Sequence, residues 1–344
     1  NSALPTGSGN FQSFNDAYNF ISCGINGPVI FNVDPASGPY TEQLIMIPVP
    51  GASATNTVTF NGNGRVLQFN STVTGQRGIV KLDGADHIIF DSLIIDATGT
   101  EDYGFGVQLI NNADSNTIRK CSVITATNST STNFAGIVVS ASATSATTTG
   151  NTWCDGNLFE RNTVTGGYYS ITLAGTSSGI PIEGNKVINN TFREFYSYGI
   201  YVNGTVNTVV EGNLITRPTR TSVTTYYGIY FTSESNSAVV AGNTLTNPFG
   251  GDQGSTSAFY GIYFTAVDAG VSTPNLIYNN LIYNVNGDGL AYGLYNTSSN
   301  NARYYHNTVS IDYAGSNSTS ATRGFYQTTE AEDIIFRNNI ITIT

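Results

Sequence analysis

Tyr198-Gly199-Ile200-Tyr201, Tyr227-Gly228-Ile229-Tyr230 and Tyr260-Gly261-Ile262-Tyr263 are three copies of one phrase. Looser copies follow at Tyr292-Gly293-Leu294-Tyr295 and Arg323-Gly324-Phe325-Tyr326, and degenerate ones precede them at Gly106, Gly136 and Ser170. Successive members of this glycine column are 30, 34, 29, 29, 33, 32 and 31 residues apart. Self-similarity at such a period is the mark of a solenoid.

A second phrase alternates with the first. It places an asparagine before an apolar strand: Asn162, Asn190, Asn213, Asn243, Asn280, Asn307 and Asn339, with Cys121 and Asp91 read into the same column upstream. The gap from glycine to the next of these asparagines is commonly 14 or 15 residues, and the shortest return gap is 8 (162 to 170), so the minimal coil has about 22 residues. Longer coils carry their excess at two loop positions, as a solenoid tolerates. The strands alternate with period 2, so Ile200 and Val202 face the interior and Tyr201 faces out. The fold class expected is therefore all-β: a parallel β-helix of about ten coils, right-handed as such crossovers nearly always are, and roughly 50 Å long at ~4.8 Å per coil. Asparagine suits the corners because it tolerates left-handed backbone, and stacked amides can bond one another along the axis.

Residues 1–57 stand outside the repeat and read as an N-terminal cap, with 58–344 as the β-helix. Phe14, Ala17, Tyr18, Phe20 and Ile21 form one face of a short amphipathic helix, with Ser13 as N-cap and Gly24 past its end. Strands are expected at 29–33 and 43–49. The chain ends in a repeat strand, Ile340-Ile341-Thr342-Ile343-Thr344. A further domain or another copy packing on that end, even head to tail into a filament, is the expectation there.

Only 10% of residues are charged, and the net charge is -10. That disfavours nucleic acid and anionic membrane, which select basic patches. No apolar run is long enough for membrane insertion. Cys23, Cys121 and Cys154 form no paired motif and are expected to be buried small hydrophobes.

Two constellations are candidates for chemistry. The outward column of the glycine strand runs Lys81, Gln108, Val138, Thr172, Tyr201, Tyr230, Tyr263, Tyr295, Tyr326. Its five tyrosines, beside a glycine floor, suggest a platform on which sugar rings stack. The long segments Arg217–Tyr226, Pro248–Phe259 and Asp312–Thr322 would form a wall. The same column also has a purely structural reading, as cross-strand aromatic pairs that steady a sheet. The second constellation is the charged stretch Lys81, Asp83, Asp86, His87, Asp91, Asp96, Glu101, Asp102. Lys81, His87 and Asp91 are the weak catalytic candidates, since a lyase needs a base and a cation, often calcium held by carboxylates. No cofactor is otherwise called for.

The whole pattern resembles the parallel β-helix superfamily of pectate lyases and polygalacturonases. It resembles more closely the β-helix modules of large secreted bacterial surface proteins exported with a C-terminal sorting domain. Phe14-Asn15-Asp16-Ala17, Gly27-Pro28-Val29-Ile30-Phe31-Asn32-Val33, Tyr40-Thr41-Glu42-Gln43 and the run from Pro50 to Phe60 carry that likeness. It implies an extracellular or cell-surface location. The Asn-Thr-Asp, Asp-Asp, Gly-His-Gly and Arg-Ile-Lys motifs of the polygalacturonases are missing from this sequence. The expectation is a non-catalytic surface, adhesion or stalk module, with a polysaccharide or cell-surface glycan as partner through the tyrosine column. The alternative is a polysaccharide lyase or glycoside hydrolase.

Overall fold

The computed structural model describes residues 1–7, 9–99, 102–176, 178–315 and 320–344. Thirty-two strands of the solenoid lie in three parallel sheets of 11, 11 and 10 strands, and each sheet takes every third strand in chain order over most of its length. The expected parallel β-helix is what the chain forms. The first sheet runs from Val29–Asn32 to Ile335–Arg337, the second from Tyr40–Thr41 to Ile340–Ile343, and the third from Leu44–Met46 to Thr322–Thr328. All three sheets thus begin within residues 29–46 and continue unbroken across position 57.

The connections differ in kind. Between the first and second sheets the corner encloses seven and four residues in the first two coils and is short and constant after them: Glu160 to Thr163, Ile188 to Thr191, Glu211 to Leu214 and Tyr278 to Leu281 each enclose two residues. The second of the two is the recurring asparagine. The left-handed residue of the corner is the one before it, as at Arg161, Asn189, Gly212, Asn279 and His306, with φ between 53° and 66°. The ladder asparagine is thereby freed to turn its amide inward. Its Oδ1 accepts the backbone N–H of the preceding ladder residue, from Cys121→Asn162 at 2.9 Å through Asn307→Asn339 at 2.9 Å. Its Nδ2 donates both to the Oδ1 of the next asparagine and to a strand carbonyl, as Asn213 does to Asn243 (2.9 Å) and to Val187 (2.8 Å). The amides from Asn162 to Asn307 are buried, and that of Asn339 is half-buried. Asp91 does not belong to this column. Ser122 pairs with Ile94, so Leu93 lies opposite Cys121, while Asp91 pairs with Arg119 in the first sheet.

Inside, like side chains stack coil upon coil. Phe31, Phe60 and Phe90 stack at 5.0 and 5.2 Å, and Phe231 stacks on Phe264 at 4.8 Å. The helix Phe14–Ile21 is capped by Ser13, whose Oγ accepts the Asp16 N–H. The Glu42 carboxylate receives the N–H groups of Phe14 and Asn15 at 2.8 and 3.0 Å, a favourable anion at a helix N-terminus. Phe14 packs on Tyr40 and Phe60. Two cap expectations differ from the structure. Phe20 is exposed, on the outer side of the helix, and Cys23 is exposed while Cys121 and Cys154 are buried; all three thiols are free.

Glycine in the Tyr-Gly-Ile-Tyr phrase faces the interior, which corrects the expected outer glycine floor. A Cβ on Gly199, Gly228, Gly261, Gly293 or Gly324 would lie 2.2–2.8 Å from Ile215, Leu245, Ile282, Val309 or Ile341 of the second sheet. Two consecutive inward residues, glycine then isoleucine, break the period-2 alternation at this point. Both tyrosines of each phrase consequently face outward.

Two substitutions test this core. Asn213→Leu removes the acceptor of the Asn190 N–H and the donor to Val187. Leaving those buried groups unpaired should cost about 2–4 kcal/mol in urea denaturation followed by circular dichroism. Gly261→Ala, with its Cβ 2.4 Å from the Gly293 carbonyl oxygen, should cost at least about 1–3 kcal/mol by the same measurement. Wild-type stability for either variant would contradict the packing described.

Candidate functional site

The outward column appears in the register expected. Lys81 pairs with Gln108, Gln108 with Val138, Val138 with Thr172, and Thr172 with Tyr201. Tyr201, Tyr230, Tyr263, Tyr295 and Tyr326 then pair in sequence. A second, parallel column was not foreseen: Tyr169, Tyr198, Tyr227, Tyr260 and Tyr292, followed by Arg323. A third column is Asn203, Thr232, Thr265, Thr297 and Thr328. Strict alternation hides the second column, because Tyr198 and Tyr201 are three apart. Its only signal is the glycine between them.

The rings stand on edge. Tyr198 stacks on Tyr227 at 4.5 Å and 6°, Tyr227 on Tyr260 at 5.2 Å, Tyr263 on Tyr295 at 4.3 Å and 15°, and Tyr295 on Tyr326 at 5.3 Å. Neighbours across the columns pack at a tilt, as do Tyr227 and Tyr230 at 5.3 Å. In these pairs the ring faces are spent on each other, coil against coil, while Tyr201 and Tyr230, Tyr230 and Tyr263, and Tyr260 and Tyr292 meet at 38°, 58° and 67°. Desolvation in this packing pushes the Tyr227 phenol up to about 12 and raises Tyr198, Tyr230 and Tyr260 as well, so all stay protonated donors at neutral pH. Some hydroxyls are engaged within the protein: Asn203 Nδ2 donates to the Tyr201 oxygen (3.1 Å), Arg323 to that of Tyr292, and the Tyr295 and Thr328 hydroxyls share a bond (3.0 Å). Arg323 also lies over the Tyr326 ring at 4.1 Å. It is the one charged residue among the outward positions of these five strands.

The expected wall segments enter the third sheet beside the new tyrosine column. Residues 316–319 of the third one lie outside the described residues. Arg217 holds the first two. Its guanidinium is buried, donates to the carbonyls of Pro248 (2.7 Å), Tyr196 (2.5 Å) and Thr224 (3.1 Å), and sits 4.9 Å from the Phe249 ring. Burial lowers it to about 9. Upstream, the outward face is covered. Gln108, Val138 and Thr172 are fully buried; the loop that follows Val139 receives the Gln108 amide on its Ser142 carbonyl, and its Ala146 packs with Phe105, Ala135, Val138 and Tyr169.

The charged stretch is not brought together. Residues 81 to 102 run about once around the coil, so neighbours in sequence occupy different faces. Lys81 pairs with Asp83 on the third sheet (3.0 Å), His87 is a left-handed corner residue, and Asp91 pairs with Arg119 on the first sheet (2.6 Å). Asp96 accepts the Thr98 N–H on the second sheet, and Glu101 lies outside the described residues. What does converge is a carboxylate column from separate coils. Asp86 accepts the Asp114 N–H, Asp114 accepts the Asp155 N–H, and Asp155 accepts the Glu183 N–H, at 2.7–2.8 Å. Desolvation, with Asp86 and Asp155 adding repulsion and His87 and the Asp155 N–H opposing, raises Asp114 to about 6.

A model of the family NosD, described as periplasmic copper-binding protein, matches residues 151–342. The chain belongs to that family of right-handed β-helices. No curated protein matches the sequence. Among solved structures, the GH136 lacto-N-biosidase from Eubacterium ramulus is similar over the whole chain, with TM-score 0.61 and 12% identity in its selenomethionine form. The native form gives TM-score 0.52 and 11% identity. The chain spans 66% of that enzyme, just short of two thirds. The A-module of an Azotobacter vinelandii mannuronan C-5 epimerase is similar over 96% of this chain and 93% of its own, with TM-score 0.47 and 12% identity. At such identities the likeness concerns the fold alone.

The residues present do not fit copper. Copper sites gather imidazole, thiolate or thioether donors at one point. Here Met46 is fully buried, and burial raises the Cys121 and Cys154 thiols to about 12 and about 11. His87 and His306 sit on corners of distant coils. No group of three or more His, Cys, Asp or Glu among the described residues is arranged to hold a metal ion. Among those residues, too, no helix is long and apolar enough to cross a membrane.

The carboxylate column makes a pH prediction. A folded-state carboxyl raised above its ordinary value favours folding at low pH and loses that advantage as pH rises from about 4 through about 6. Asp114→Asn keeps an Oδ1 acceptor, as Asn300 does for the Glu332 N–H at a like corner. The variant should melt higher than wild type at about pH 7.5, with the difference gone at about pH 4. Equal melting temperatures at both values would remove Asp114 as a source of strain.

Proposed function

We propose that this chain is a non-catalytic, secreted surface module that holds a neutral glycan on the outer face of its third sheet. One observation carries the reading. Over five coils a column of five tyrosines stands in register beside one of four tyrosines that ends in Arg323, the single charge, and one of Asn203 and four threonines. Such a face supplies what sugar hydroxyls and C–H edges need: phenol and alcohol groups on a rigid, half-apolar floor. Because every one of these rings packs against neighbouring rings, several of them face to face, recognition runs chiefly through hydroxyls and ring edges. Glycoside hydrolysis asks for two carboxylates about a bond, and the outward positions of these strands offer none. An acidic polymer would meet a chain of net charge -10 with one cation on the face to receive it. Membership of a periplasmic family and the surface composition support an exported location.

The test is a panel of neutral and acidic polysaccharides, with and without calcium, scored both for retention on the immobilised protein and for new reducing ends or unsaturated uronate. Retention of a neutral glycan without cleavage is expected. Tyr230→Phe with Tyr263→Phe keeps the packed rings and should weaken retention roughly three- to tenfold, the worth of one or two hydrogen bonds. Cleavage by the wild type, lost with Lys81→Ala or His87→Ala, would overturn the non-catalytic reading.

A further inference from the structure

The open tyrosine face and the covered upstream face are one continuous surface. The third sheet carries the same outward column through Gln108, Val138, Thr172 and Tyr201 without a break in register. What separates them is the loop after Val139. That loop folds back over the sheet and is closed at its base by Ala141 N–H to the Thr148 carbonyl (3.0 Å) and by the Thr152 hydroxyl to the Ser140 carbonyl (3.1 Å). Its span 141–150, Ala-Ser-Ala-Thr-Ser-Ala-Thr-Thr-Thr-Gly, holds no charge and nothing larger than threonine.

The cover is chemically incomplete. Gln108 Nε2 donates to the Ser142 carbonyl (3.1 Å), but Gln108 Oε1 and Thr172 Oγ1 are buried with no partner. A buried polar atom without a partner is a standing cost, and it is relieved by water or by a ligand that supplies the missing donor. The closing contacts are correspondingly thin: Ala146 on the aromatic and aliphatic floor, and a few hydrogen bonds. Opening would present an amide, a hydroxyl and the Phe105 and Tyr169 rings, which is the chemistry of the open face downstream.

We infer that loop 141–150 is a displaceable strap over a further subsite for the same neutral, polyhydroxylated ligand, with Gln108 and Thr172 as its polar contacts. This rests on the glycan reading of the tyrosine face. A ligand long enough to extend past Tyr201 displaces the strap and pairs the two orphaned oxygens; a short one stays on the tyrosines.

The experiment joins Ala141 directly to Thr148, which are already hydrogen-bonded, by deleting Ser142–Thr147. Calorimetric titration uses short and long neutral oligosaccharides of the series retained by the wild type. Deletion should raise affinity for the long ones roughly two- to tenfold for each polar partner gained and leave the short ones unchanged. Gln108→Leu with Thr172→Val in the deleted protein should abolish that gain. Hydrogen exchange needs no ligand: strap amides in the wild type should open well before global unfolding, and the Leu/Val pair in the full chain should slow them. Exchange of the strap only with global unfolding, or equal long-chain affinity with and without it, overturns the strap while leaving the tyrosine face standing. Failure of every glycan to bind either protein overturns both readings.

Discussion

From the coil of Cys121 to the last, this solenoid hangs on one repeated hydrogen-bond set, the asparagine ladder at the corner between the first and second sheets. Each amide accepts a backbone N–H from one coil and donates to a carbonyl two residues short of that coil's corner, while also linking to the next amide. A tight corner without it would leave peptide groups buried and unpaired in each of these coils, at a cost repeated along the rod. Because this corner keeps two residues from Asp91–Ile94 to Arg337–Ile340, the strands either side of it stay in register through those coils. The other two corners are then free to carry loops of any size.

The glycine column is the second constraint, and it is steric. The third sheet approaches the second so closely at this point that the branched side chains of Ile215, Leu245, Ile282, Val309 and Ile341 occupy the space of a Cβ. Glycine permits the approach and places two successive residues inward. The outer face then receives two tyrosines per coil rather than one. A packing need inside the rod thus creates the surface on which the proposed function rests, and the ring stacking stabilises that surface before any ligand is present.

Charge follows a different logic. Sequence neighbours circle the coil, so Lys81, His87 and Asp91 end on different faces, while Asp86, Asp114, Asp155 and Glu183 meet across four coils. The same geometry scatters the soft donors that copper would use, so family membership here transmits the architecture and not the metal named in its description.

The sequence by itself determined the architecture. Two phrases at a common period, apolar positions at period 2, and Ser13 ahead of an amphipathic stretch were enough for the coils, the outward Tyr201–Tyr326 column and the helix. Those are local or strictly periodic properties, and periodicity survives translation into space. Only the tertiary structure decided which way Gly199 and Tyr198 point, because a break in alternation depends on how near the opposite sheet stands. Only it decided that Asp114 is a carboxyl raised by its surroundings, that Phe20 and Cys23 are exposed, and that Gln108 lies beneath a loop with Thr172 buried beside it in the same column. Each of these depends on loop lengths and on contacts between residues a whole coil apart, and no window along the chain contains both partners.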